Sequence, residues 1–243
     1  RLYQITLAIA GIAVGTVILP ELSKKIKLNN YKLAQDLQSR SINLCLFISL
    51  PAAAGLYIAS YDIVNALFGY GSFTEISVKN TSAALKFFAI GIPAFALLKI
   101  FSSFYFARNN TQTPFHLSAI VVVINLVLSI YLFRIIGFIA IPIATTISTW
   151  IIVFAYIFKF VEKDIHKFDN IFFRKIIKMF LSSTLMAIFL IYMISFLADK
   201  LIYDSSLKIL YLFSIVGLSI VVYFLISILI GSIKFGRKKN III

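Results

Sequence analysis

The chain has 243 residues, of which 61% are hydrophobic and 13% charged, and its mean hydropathy is +1.00. Soluble domains are roughly half apolar and a quarter charged, so this composition excludes one and points to an integral membrane protein. The net charge of +14 does not read as nucleic-acid binding, because the basic residues sit in short loops between apolar runs and not in a groove or an aromatic-interleaved patch.

Seven stretches are long enough to cross a bilayer core of about 30 Å at about 1.5 Å per residue. They are residues 1–21, 41–60, 78–106, 114–133, 138–159, 174–198 and 206–232. Lys and Arg number five in 23–40, one in 107–113, six in 159–178 and four after 232, against one, one and two in the alternate connections. This asymmetry predicts that 23–40, 107–113, 160–173 and the C-terminus are cytoplasmic and that the first residue lies outside. A single cysteine, Cys45, excludes a disulfide within the chain, and one Cys with two scattered His residues, His116 and His166, argues against a metal site. A P-loop, a G-x-S-x-G elbow, HExxH and a pair of intramembrane carboxylates are all missing from the sequence, so nothing here suggests catalysis, whereas several Pro- and Gly-containing spans with cations at membrane depth are what a membrane transporter needs. The chain opens on an arginine inside an apolar run without an initiator Met, which reads as the C-terminal part of a longer protein.

In chain order, the first span, RLYQITLAIAGIAVGTVILPELS, begins with Arg1, carries Gly11 and Gly15 at small-xxx-small spacing and stops at Pro20. The basic stretch 23–40 is too polar to cross; Asn30 caps a short helix there, with Leu33 and Leu37 on one face, lying against anionic lipid. A solvated basic loop is the other reading. The second span has Pro51 in its middle, and the third, from Ser77 to Phe106, has Gly91 and Pro93 near its centre. These three positions are candidate helix hinges. Lys86 is near enough to the outer end to snorkel, whereas Lys99 lies nine residues before Arg108, about 13 Å at the helical rise. An ammonium at that depth is costly against lipid, so Lys99 is predicted to face a wet cavity. The chain then turns at Arg108, Asn109 and Asn110, with Thr113 as N-cap and Pro114 as the first helical residue.

The fourth and fifth spans are joined only by RIIGF and form a tight antiparallel pair. On them, Asn125, Ser129 and Thr145 read either as cross-helix hydrogen-bond partners or as a cation site for Na+. After 160 comes a charged linker, VEKDIHKFDN, and then two spans of nearly uniform Ile, Leu, Phe and Ser. Lipid-facing bulk explains those two as well as any function does.

The segment F-Y-F-A-R-N-N-T-Q-T-P, Phe104 to Pro114, resembles the F-Y-A-R-x-D-T-x-T-P segment of the MviN/MurJ family of lipid II flippases. The matching positions are Tyr105, Arg108, Thr111, Thr113 and Pro114; Asn110 stands where the family usually has an acid and Gln112 where it often has a lysine. The first span resembles the family's R-x-x-x-x-P-x-G-x-x-G-I-A-x-G-T-x-x-L-P-x-L-S, with Thr6 in place of a common proline. Leu67 to Thr74 resembles L-F-x-x-G-x-F-T, and Asn125 to Ser129 resembles N-L-x-L-N/D with serine last. The resemblance covers 1–160 by motif and the remainder by hydropathy and position.

It implies an all-α polytopic membrane protein of about seven transmembrane helices, the partial second lobe of a MOP-type transporter plus two C-terminal helices. Residues 1–160 would be the lobe, 161–173 a cytoplasmic linker, and 174–243 the final helix pair with a basic cytoplasmic tail. The implied function is flipping of undecaprenyl-pyrophosphate-linked peptidoglycan precursor across a bacterial inner membrane by alternating access. Arg1 and Lys99 would be the cavity cations that hold the head group, and the partners would be lipid II, membrane lipids and the missing N-terminal part of the same protein. A flippase for another polyprenyl-linked glycan, a drug exporter of the same superfamily and a structural subunit without transport remain alternatives.

Overall fold

The structure, a computed structural model, describes residues 4, 14–162, 165–166, 169–203, 205, 207–232, 234–235 and 241–242. Its helices are α1 (Val14–Lys27), α2 (Tyr31–Ile58), α3 (Ser60–Phe68), α4 (Glu75–Phe106), α5 (Gln112–Ile136), α6 (Ala140–Glu162), α7 (Asn170–Phe196) and α8 (Lys208–Leu229). Single 3-10 turns lie at Gly137–Ile139 and Ala198–Lys200, and two-residue strands at Lys234–Phe235 and Ile241–Ile242 pair antiparallel. The chain is an all-α polytopic membrane protein: among the described residues α2, α4, the stretch Gln112–Glu162, α7 and α8 are long and apolar enough to span a bilayer. Gln112–Glu162 is a hairpin, since Asn125 donates to Thr145 at 3.0 Å, and twenty residues of one straight helix would separate them by about 30 Å. Gly137 makes the reversal, with a φ of 66° that a residue with a Cβ adopts only under strain.

Helix α4 lies at the centre, packed between α2 and α6, with α1 across α2 and α4, α5 outside α6, α7 on α2 and α8 on α7. Phe101, Phe104 and Tyr105 of α4 pack on Tyr156 and Phe160 of α6, with Phe101 and Phe160 edge to face at 5.0 Å and Tyr105 stacked on Phe160 at 5.4 Å. Lipid tails are as apolar as these rings, so close fit and not hydrophobic transfer holds such contacts. Small residues permit that fit. A Cβ on Gly15 would come to 3.2 Å of Ser103 Oγ on α4, and one on Gly91 would meet Phe95 at 2.7 Å and Thr146 Oγ1 of α6 at 2.8 Å. Gly11 lies outside the described residues, as does most of the predicted first span.

The basic stretch 23–40 is not a separate surface helix. Asn30 is the N-cap, accepting from Leu33 N, but the helix it starts runs unbroken to Ile58 and turns Ala34, Gln38 and Ile42 inward, leaving Leu33 exposed. The two turns at this end of the bundle share one device. Asn29 and Asn109 adopt left-handed backbone (φ 55° and 56°), and the following N–H of Asn30 and Asn110 returns to Lys25 and Tyr105 O. This closes the outgoing helix with asparagine in the role glycine usually takes. Asn30 and Asn110 then cap the incoming helix. In α5 the N-cap position, Thr111, makes no side-chain cap bond, and the capping oxygen is that of Asn110, which accepts from Thr113 N at 3.0 Å, so Thr113 lies inside the first turn. Pro114 sits in that first turn, where its missing N–H breaks nothing.

Helices α2 and α4 also run unbroken through Pro51, Gly91 and Pro93. Pro51 deprives the Phe47 carbonyl of its intrahelical donor, and the hydroxyl of Tyr223 on α8 supplies one at 2.8 Å. Around Pro93 the carbonyls of Phe87 and Ile90 accept from Thr146 Oγ1 at 2.9 Å and Trp150 Nε1 at 3.2 Å. Each proline therefore sits beside polar ties from a neighbouring helix. The 161–173 stretch is only partly a linker. Ile165 and His166 are buried, and Asp169 caps α7 by accepting from Phe172 N at 2.7 Å, so this helix begins at Asn170.

Candidate functional site

A cleft of about 660 Å³ opens between α1, α4 and α5. Lys99, Ser102, Ser103 and Phe106 come from α4, Gly15, Thr16 and Leu19 from α1, and Pro114, Phe115 and Ser118 from α5, with Thr111 at the turn. The local sequence explains its polarity. Gly15 brings α1 close enough to α4 that the hydroxyls of Ser102 and Ser103 line the gap, each donating back to a carbonyl four residues earlier. Their oxygens keep lone pairs for an incoming donor. Lys99 is the cation of this cleft, exposed into it, and no carboxylate lines the described walls. The arrangement can attract an anion at membrane depth through the charge of Lys99.

The other motif residues go elsewhere. Tyr105 is buried among Tyr156 and Phe160 and does not reach the cleft; its neighbour Phe106 does. Arg108 turns away from the cleft, donating to Phe104 O at 2.8 Å and Ile165 O at 3.3 Å. Thr111 and Pro114 line the cleft, while Thr113 is tied up with Asn110. Arg1 lies outside the described residues.

Asn125, Ser129 and Thr145 do come together across the α5–α6 hairpin. Asn125 Nδ2 donates to Thr145 Oγ1 at 3.0 Å, Ser129 Oγ to Asn125 Oδ1 at 3.1 Å, and Thr145 Oγ1 to Ile141 O at 2.8 Å. This is a bolt between two helices made of neutral groups already bonded to one another. It offers a sodium ion no formal negative charge. Among the described residues no cluster of His, Cys, Asp or Glu has a metal-binding arrangement.

A second polar junction was not apparent in the sequence. The Gln38 amide fits its neighbours with its oxygen toward Arg108, at 2.9 and 3.1 Å, and its nitrogen toward Ile165 O at 3.0 Å and His166 Nδ1 at 3.3 Å. His166 Nε2 lies 3.4 Å from Ser39 Oγ. Nδ1 is therefore an acceptor and the ring neutral, which fits a pKa pushed down to about 4, first by burial, against the pull of Asp169 and with the help of Arg108. A group whose folded pKa lies below its ordinary value of about 6.5 stabilises the fold above that value, and loses the contribution as pH falls toward 4. The stability of the detergent-solubilised protein is expected to fall by an amount on the order of 3 kcal/mol between pH 6.5 and 4, read as a lower thermal midpoint. His166→Gln should flatten the dependence, and an unchanged pH profile in that variant would place its origin elsewhere.

A helical bundle whose proline-containing spans are tied by neighbouring helices, with a cationic polar cleft at membrane depth, is a polytopic membrane protein of a kind compatible with transport. The comparisons give the family. The model of the family described as "Lipid II flippase MurJ" matches residues 1–217, and the chain belongs to this family. A probable lipid II flippase MurJ of Rhizobium tropici is 31% identical over 99% of this chain and 45% of its own length. One from Rickettsia prowazekii is 37% identical over 60% of this chain and 29% of its own length. A solved structure described as "Lipid II flippase MurJ, inward closed conformation" superposes with a TM-score of 0.77 at 26% identity, covering 94% of this chain and 45% of that one. The chain spans about half the length of the relatives it matches along its whole length.

Proposed function

We propose that this chain forms part of the second lobe, and the final helix pair, of a flippase that carries lipid II from the cytoplasmic to the outer leaflet of a bacterial inner membrane. The observation that carries the reading is Lys99 standing in a hydroxyl-lined cleft free of carboxylates, within a chain of this family. A pyrophosphate sheds water on entering such a cleft and gains the Lys99 ammonium in return. Arg1 would be a second cation for the same head group. A cationic drug would meet repulsion from Lys99 instead, which disfavours export.

Sidedness belongs to the same proposal: the Asn29–Asn30 and Asn109–Asn110 turns, the 165–166 segment and the C-terminus would be cytoplasmic, in line with the distribution of Lys and Arg. Pro51, Gly91 and Pro93 would be the places where α2 and α4 bend as access alternates between the two sides.

The test uses the intact protein in proteoliposomes loaded with fluorescent lipid II, with outward exposure read by an impermeant quencher. Protein-dependent transfer, and competition by unlabelled lipid II, are the expected results. If lipid II stays in its leaflet while a different polyprenyl-pyrophosphate glycan crosses, the substrate assignment is wrong.

A further inference from the structure

The last two helices hold a polar contact that their composition hides. In α2, Pro51 has no N–H to offer the carbonyl of Phe47, four residues earlier. That carbonyl is buried where α2 meets α7 and α8, beside an apolar groove of about 380 Å³ whose walls include Phe47, Pro51, Met186, Leu190 and Tyr223. Exposed to such surroundings it would lack any partner. The hydroxyl of Tyr223, only 3% exposed, reaches it at 2.8 Å, and the ring rests on that of Phe47 with centroids 5.0 Å apart.

We propose that Tyr223 is a positioning residue that sets the bend of α2. Its hydroxyl stands in for the backbone N–H that Pro51 lacks, so the shape of α2 at the proline depends on where α8 sits. The contact joins residues 176 apart in the chain. It gives the final pair a task beyond facing lipid, because anything that parts α8 from α2 along the groove strips the Phe47 carbonyl of its donor and frees α2 to change its curvature. The same helix carries Gln38 of the Arg108–His166 junction at its other end. A change of bend at Pro51 is therefore delivered to the turn that follows α4.

The proposal makes a claim that generic packing by a tyrosine does not. If the hydroxyl serves the carbonyl that Pro51 leaves bare, it has little to do once residue 51 has an N–H. Tyr223→Phe, Pro51→Ala and the double variant, made in the intact protein, form the test. Spin labels at Leu33 and Tyr57, both exposed on α2 on either side of the proline, report the bend as a distance, and a thermal midpoint is taken alongside.

Tyr223→Phe is expected to change the distance distribution and lower the midpoint by several degrees when Pro51 is present, and to do neither in the Pro51→Ala background. Equal effects in both backgrounds would overturn the proposal, since the hydroxyl would then be serving another group. No effect in either background would overturn it as well. Should Pro51→Ala not accumulate, hydrogen exchange across residues 47–55 in Tyr223→Phe alone decides: faster exchange confined to that segment supports the assignment and an unchanged pattern refutes it. These readouts require no transport, so they stand or fall independently of the substrate proposed above.

Discussion

Lys99→Ala in the intact protein is expected to reduce lipid II transport by about tenfold or more, the scale of losing one charge-assisted hydrogen bond to the head group. The amount of inserted protein should be unchanged. The separation of the two effects follows from where the side chain is. Lys99 is exposed into the cleft, and its neighbours Leu97 and Ile100 do the packing, so truncation removes a charge and little of the core. Among the described residues the ion pair lies far off in sequence, between Lys79 and Glu75 on the surface of α4, so truncating Lys99 breaks no salt bridge there.

Lys99→Arg should retain part of the activity, because the charge survives while the shape of the donor changes. Normal transport by Lys99→Ala would reduce the residue to an anchor and leave Arg1 as the proposed head-group cation. Loss of both transport and inserted protein would mean that it holds the fold.

Legibility in the sequence followed the range of the interaction. Local chemistry read well: Asn30 was recognisable as a cap, Gly15 as a close-approach site, and the stretch from Lys99 to Pro114 as a turn between two spans. Even there the capping side chain is that of Asn110 and not Thr113, because two consecutive asparagines at the turn can close one helix and open the next, and the sequence alone does not rank them. Charge at depth marked Lys99, since an ammonium about two and a half turns before Arg108 needs a reason to be there.

What stayed hidden was long-range. Pro51 announced a freed carbonyl, but its partner is on a helix whose faces are all apolar, so no periodicity singled out Tyr223. The charged letters of 161–169 suggested a solvated linker, yet Ile165 and His166 fold back under Gln38 and Arg108. Such a contact needs tertiary structure to be seen.

The same holds for Lys208, whose removal is expected to give the largest loss of stability. At the first residue of α8 a lysine reads as an ordinary charge at a span end, free to snorkel. In the structure it is 1% exposed. Its ammonium donates to Tyr203 O at 2.6 Å, Gly69 O at 2.9 Å and Asn65 Oδ1 at 3.3 Å, and it lies over the ring of Tyr70 at 4.1 Å. One side chain thus gathers the end of α3, the loop after it and the segment entering α8. Asn65 reinforces the set by donating to Leu201 O at 3.0 Å, and Tyr203 does so by donating to Phe73 O at 2.8 Å.

Lys208→Met keeps most of the volume and removes every donor. Three acceptors then lose their partner in a site closed to water, at roughly 1–3 kcal/mol apiece, or about 3 kcal/mol at the least. For a protein of this size or larger the thermal midpoint should fall by more than about 5 °C. Lys208→Ala should cost more, since a cavity adds to the lost bonds. A protease probe of the 69–73 loop separates local release from general unfolding: cleavage there should precede loss of the rest of the bundle, because the main core, where Phe101, Phe104 and Tyr105 meet Tyr156 and Phe160, contains none of these residues, while Phe73 and Tyr203 pack on the small separate cluster of Val64, Val78 and Leu85. If Lys208→Met melts with the wild type and its loop stays protected, the ammonium contributes no net stability, and its desolvation has cancelled the bonds it makes.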